Sequence, residues 1–157
     1  LSKAQALPYN FCMLETILQN VDLTFIFNLV LSLLAGFAIG YERESRGKDA
    51  GISTHSLVIM GSMLFTFISA GDPESPSRIA AQVVTGIGFL GAGLILKEGT
   101  TVRNLTTAAS LWFAAAIGMS FGYGLYTVGI FSTLVAILVL RIPHMSHPEN
   151  HNGEPHV

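Results

Sequence analysis

The sequence predicts an all-α polytopic membrane protein, a bundle of about five transmembrane helices around a glycine-rich third helix. Three observations predict it. Of 157 residues, 50% are hydrophobic and only 11% charged, against a globular average of about 25% charged. The charges fall between apolar runs instead of within them, which is the distribution of the membrane class. The runs themselves lie near the ~20 residues needed to cross a ~30 Å hydrocarbon core, and barrel strands would be shorter and alternate in polarity.

The segment before the first run, residues 1–22, carries Lys3 and the one cysteine, Cys12. A single cysteine excludes an intramolecular disulfide and a zinc-finger-type Cys/His site. Residues 1–12 are expected to be an upstream extension, because Met13 opens a natural start into the first apolar run. No cleavage signal precedes that run, so it is expected to remain as an anchor. The transmembrane domain is placed at residues 23–142.

Five runs make up that domain: residues 23–41, 56–70, 79–96, 105–121 and 123–142. The second is short for a span and is the weak point of any topology. With five spans, Arg43, Arg46, Lys48, Lys97, Arg103 and Arg141 fall on one side, and Lys3 and Arg78 on the other. The positive-inside rule then places the N-terminus outside and the C-terminus in the cytoplasm. Residues 143–157 are polar, hold three prolines and show no apolar periodicity, and are expected to be a disordered tail.

The third run contains Gly86, Gly88 and Gly91 in a GxGxxG spacing, with Gly93 two residues on. In a soluble protein that spacing suggests a dinucleotide site. Here it sits in an uncharged run with no strand before it, and a phosphate-binding turn needs both a strand and water. Gly36 and Gly40 form GxxxG in the first run, and Gly118 and Gly122 form another in the fourth. Such glycines let helix backbones approach closely in lipid. Because the glycines of the third run lie on more than one face, that helix is expected to be central. A glycine-lined path for a small solute is the alternative.

Polar residues at membrane depth are the next candidates. Arg78, Gln82 and Thr85 follow an i, i+4, i+7 row on one face of the third run, and Asn28 lies in the first. Interhelical hydrogen bonding and a polar path are both open readings. Glu42, Arg43 and Glu44 close the first run, with Lys97 and Arg103 on the same side. They either fix topology or form a docked cytoplasmic patch. Asp72 and Glu74, beside Arg78, are weak cation candidates. His144, His147, His151 and His156 are weak metal candidates because they lie in the tail, and His55 reads as an interfacial polar cap. No carboxylate falls within a run, and no P-loop occurs. No cofactor or catalytic residue is expected, and a net charge of −2 gives no basic surface for nucleic acid.

Two blocks carry a family resemblance. The first is GYERE at 40–44 with AGISTH at 50–55. The second is RIAAQ at 78–82, running through GIGFLGAG at 86–93 to LTTAASLW at 105–112. On these blocks the chain, over about residues 14–142, resembles the MgtC/SapB family of bacterial inner-membrane proteins. Ser53 stands where the family often has a basic residue. Longer members carry a soluble C-terminal domain that these residues do not include. The resemblance implies an inner-membrane protein of magnesium-limitation or acid-stress adaptation, linked in pathogens to virulence. It also implies regulation of membrane partners such as ATP synthase, with the lipid bilayer and a homo-oligomer as further contacts. Transport of Mg²⁺ or another small solute is the alternative.

Overall fold

The computed structural model describes residues 7–71, 77–98 and 101–142. Five helices and one small hairpin follow in order: α1 (Leu7–Ser45), α2 (Ile52–Ala70), α3 (Arg78–Leu94), β1 (Leu96–Glu98), β2 (Thr101–Arg103), α4 (Leu105–Gly122) and α5 (Tyr126–Leu140). Three stretches are long and apolar enough to cross a membrane: Leu23–Ser45, Ile52–Ala70 and Leu105–Gly122. The helices Arg78–Leu94 and Tyr126–Leu140 are apolar but shorter. The chain is thus an all-α membrane protein. The calls on residues 1–6, Asp72, Glu74 and the tail 143–157 lie outside the described residues.

The second run reaches a full span because the helix begins at Ile52, four residues before the uncharged stretch. Polar Ser53, Thr54 and His55 form its first turn. A 19-residue helix rises about 28 Å, close to the thickness of the hydrocarbon core. The first helix also extends past its expected end, to Ser45, and carries Glu42 and Arg43 with it.

Both GxxxG pairs pack against α2. A Cβ at Gly36 would run into the Ser56 backbone, and one at Gly40 into Ile52 and the Gly51 carbonyl. From the other side, Gly118 lies against the Ile59 carbonyl, and a Cβ at Gly122 would sit 2.7 Å from the Met63 carbonyl oxygen. Glycine in both flanking helices brings their backbones onto α2, and packing at that distance is what holds helices together in lipid. Ile39, Ile59, Met63, Ala114, Ile117 and Phe121 fill the core between the three. Gly129, which had no motif to mark it, does the same for α5, where a Cβ would collide with the Phe121 ring.

The third helix is not central. Eleven of the eighteen residues of α4 are buried, whereas α3 buries only Ala80 and Ile87. Among the described residues nothing would meet a Cβ within 4 Å at Gly86, Gly88 or Gly93, and Gly91 only approaches Ala108, at 3.7 Å. The glycines on several faces of α3 therefore mark open surface in this chain, and the packed centre is α2 with α4. Large apolar side chains cover the outside, as lipid contact requires: Phe89 is 82% exposed, Phe131 68% and Leu138 65%.

The uncharged third run ends in a turn away from helix. Ile95 is extended, and β1 pairs antiparallel with β2 in the register Leu96↔Arg103, Lys97↔Val102 and Glu98↔Thr101. Asn104 then takes a left-handed conformation, φ 65°, to start α4. Asparagine tolerates that region better than most residues.

Candidate functional site

The C-terminal end of α1 and the N-terminal ends of α2 and α4 meet in a polar junction. A helix start leaves backbone N–H groups without partners, and α2 has no capping side chain on Gly51. The carboxylate of Glu44 supplies one from α1, its Oε2 accepting the Ile52 N–H at 3.0 Å. The same negative charge is favourable against the positive end of the α2 dipole.

Deeper in, Arg43 is 2% exposed, and its guanidinium donates to Thr107 Oγ1 of α4 at 3.0 Å. His55 is fully buried. Its Nδ1 lies 3.0 Å from the Gly51 carbonyl oxygen and its Nε2 3.2 Å from Ser110 Oγ. Ser110 in turn donates to the Thr107 carbonyl at 2.7 Å. The Gly51 carbonyl can only accept, so Nδ1 carries a proton. The single Ser110 hydroxyl proton goes to Nε2 only when it leaves the Thr107 carbonyl. His55 is thus a bridge between α2 and α4, more than a cap on α2.

Glu42, 5% exposed, lies 2.7 Å from Arg46 Nε through Oε1. That is an ion pair by distance and not an aligned hydrogen bond, because neither Glu42 oxygen accepts one among the described residues. Arg46 also reaches the Arg141 carbonyl at 3.4 Å, tying α5 to the junction. At the rim, Asn104 Nδ2 donates to Asp49 Oδ2 at 2.6 Å, joining the α1–α2 turn to the start of α4. Glu42, Arg43 and Glu44 lie at the junction, and the contacts described for them run to Arg46, Thr107 and Ile52 instead of to the third loop. The hydrogen bonds seen in the junction run through Asn104, Thr107 and Ser110, while Lys97 and Arg103 lie exposed on the hairpin strands.

The second set of candidates is divided. Asn28 is buried, 1% exposed, on α1. Its Oδ1, with the hydroxyls of Ser32, Ser56 and Thr66, has no hydrogen-bond partner among the described residues. Arg78, Gln82 and Thr85 are instead all exposed on α3. Gln82 lines a groove between α2 and α3 whose other walls are mostly apolar. Among the described residues no group of three or more His, Cys, Asp or Glu side chains is placed to hold a metal ion.

The model of the MgtC family matches residues 29–147, which include the whole polar junction and all of α3. The chain belongs to the MgtC family. Among curated relatives in that family, the protein named "Putative magnesium transporter YhiD" from Escherichia coli K12 is 49% identical over 130 residues, covering 76% of this chain and 60% of that protein. "Protein MgtC" from Salmonella typhimurium LT2 is 46% identical over 114 residues, 72% of this chain and 49% of that protein. A Synechocystis protein, slr0014, is 41% identical over 136 residues, 82% of this chain and 58% of that protein. The chain thus spans about half to three fifths of the length of these relatives. No solved structure matches it.

Several residues of the junction lack a signal in the sequence pattern. Thr107 and Ser110 are ordinary helix-start residues by composition, and Asp49 and Asn104 read as loop. Their partners stand 64, 55 and 55 positions away. A hint lay in the resemblance itself, whose blocks at 50–55 and 105–112 contain both ends of the His55–Ser110 contact.

Proposed function

We propose that this chain is a non-enzymatic inner-membrane protein of magnesium-limitation or acid-stress adaptation that regulates membrane partners through its third helix. The observation that carries this reading is the contrast between its glycines. Those of α1 and α4 are consumed by contacts with α2, whereas a Cβ added at Gly86, Gly88 or Gly93 of α3 would meet no neighbouring element within 4 Å among the described residues. Gly88 lies on one outward face with Ala81, Thr85 and Ala92, all exposed, at the i, i+4, i+7, i+11 spacing of a helix contact surface. Close backbone approach in lipid needs such a face. The names of the Escherichia coli and Salmonella relatives support the magnesium context. The partner is a membrane protein, with ATP synthase or a second copy as candidates from the family resemblance. The distribution of six basic residues against two supports a cytoplasmic polar junction, with the N-terminus outside.

Gly88→Leu tests the reading, because its side chain enters open space in the isolated chain. Normal abundance and thermal unfolding, together with lost growth in limiting Mg²⁺ in a host deleted for its own family member, are expected. Full complementation by the variant contradicts the reading. Transport of Mg²⁺ or another small solute is the second reading, favoured by the polar row Arg78, Gln82 and Thr85 at membrane depth. Because that row faces outward in one chain, a path along it requires a second copy to enclose it. Mg²⁺ flux in proteoliposomes, abolished by Gln82→Leu, decides for transport.

A further inference from the structure

The groove between α2 and α3 has a volume of about 450 Å³ and is walled by Leu57, Phe65, Ile79, Val83 and Leu90 among others. Gly61 of α2 and Gly86 of α3 also line it, and among the described residues a Cβ at either would meet no neighbouring atom within 4 Å. The two helices touch along it but leave this channel open to the membrane side. From Ile79 to Leu90 the groove follows α3 for about 17 Å. That is close to half of a ~30 Å hydrocarbon core, the depth of one leaflet.

The chemistry along the groove is ordered. Arg78 opens α3 at its outer end, exposed. Among the described residues it has no ion pair, since the one salt bridge joins Arg46 and Glu42. Gln82 lines the groove one helical turn further in, about 6 Å deeper. Below it Val83, Gly86, Ile87 and Leu90 are apolar. A phospholipid presents the complementary order from the surface inward: an anionic phosphate, then ester carbonyls, then an acyl chain.

We propose that this groove is a phospholipid site. One acyl chain lies between α2 and α3, the phosphate pairs with Arg78, and an ester carbonyl accepts a hydrogen bond from the Gln82 amide. The lipid belongs to the leaflet opposite the polar junction, because α3 begins where α2 ends. A second copy fits the groove less well. A helix is about 10 Å across with its side chains, whereas α2 and α3 are in contact with each other, so a second helix cannot lie between them. The charge at the mouth selects an anionic headgroup over a zwitterionic one. The site competes with the transport reading, which gives Arg78 and Gln82 to a solute path.

Native mass spectrometry of the delipidated full chain in mild detergent tests this, with dioleoyl phosphatidylglycerol or dioleoyl phosphatidylcholine added back. The expected result is one retained phosphatidylglycerol per chain, favoured about fivefold over phosphatidylcholine, the effect of one cationic side chain at a headgroup. Arg78→Gln brings the ratio of the two lipids near one. Gln82→Leu weakens both adducts and leaves the ratio unchanged. Gly86→Leu and, separately, Gly61→Leu fill the groove and remove both adducts, with thermal unfolding unchanged in at least one of the two. Retention of the adduct in both glycine variants overturns the proposal, as does a headgroup preference that survives Arg78→Gln. A wild-type dimer free of lipid that Gly86→Leu dissociates places a second copy in the groove and overturns it as well.

Discussion

Adding one methyl group at Gly118 and one at Gly88 is expected to move stability in opposite directions. At Gly118 the new Cβ would overlap the Ile59 carbonyl, with Ser62 Cβ at 2.9 Å and the Ile59 carbonyl carbon at 3.0 Å. Ordinary carbon contacts are about 3.5–4.0 Å, so α4 and α2 must part by roughly 1 Å. Overpacking of that kind costs about 1–3 kcal/mol, and parting the helices also loosens the contacts of Ile59 and Met63 with Ile117 and Phe121. The gain in helix propensity from Gly to Ala, about 1 kcal/mol at most, offsets only part of this. At Gly88 no neighbouring element among the described residues lies within 4 Å of the added Cβ, so only the propensity gain remains, about 0.5–1 kcal/mol of stabilisation. Reversible unfolding of both variants in mixed micelles, titrated with a denaturing detergent, reads the two signs. Gly118→Ala should lose about 1–2 kcal/mol, and Gly88→Ala should lose none. Equal destabilisation of both would refute the placement of α3 at the edge. No effect at Gly118 would refute the clamp on α2.

At the junction, Thr107→Val should cost about 1.5–3 kcal/mol, since it removes the hydroxyl that accepts from the buried Arg43 guanidinium. The double variant with Arg43→Met should recover part of that loss in the same unfolding assay, because the buried charge is gone too. His55→Leu removes the link to Ser110 and should loosen α2 from α4, read as faster hydrogen exchange at the start of both helices. Asn104→Ala loses the bond to Asp49 and strains the left-handed backbone, whereas Asn104→Gly loses only the bond. The alanine variant should therefore unfold at lower denaturant than the glycine one, by about 1 kcal/mol.

Hydropathy made the helices legible, because length and charge placement are one-dimensional properties. The paired spacing of Gly36 with Gly40 and of Gly118 with Gly122 also spoke for packing, although not for which helix received them. The third helix was harder. Glycine on several faces is the same pattern whether neighbours fill those faces or none do, and only the positions of α2 and α4 distinguish the two. The hairpin of three-residue strands carries too few residues for an alternation to register. Glu42 and Arg43 fall outside the uncharged first run because a charge ends a hydropathy window. The helix nonetheless continues through them to Ser45, where Thr107 and Arg46 give those charges partners. The His55–Ser110 and Asp49–Asn104 contacts each join residues 55 positions apart, a separation that no local pattern encodes.

In the proposed function α3 is the docking helix of this MgtC-family chain. Photocrosslinking in native membranes tests it most directly, with the crosslinker at Gly88 or Ala92 on the outward face of α3 and at Phe131 on the lipid-exposed face of α5. A discrete protein adduct is expected from the two α3 positions and none from Phe131. The same adducts from all three positions, or none from α3, would contradict it.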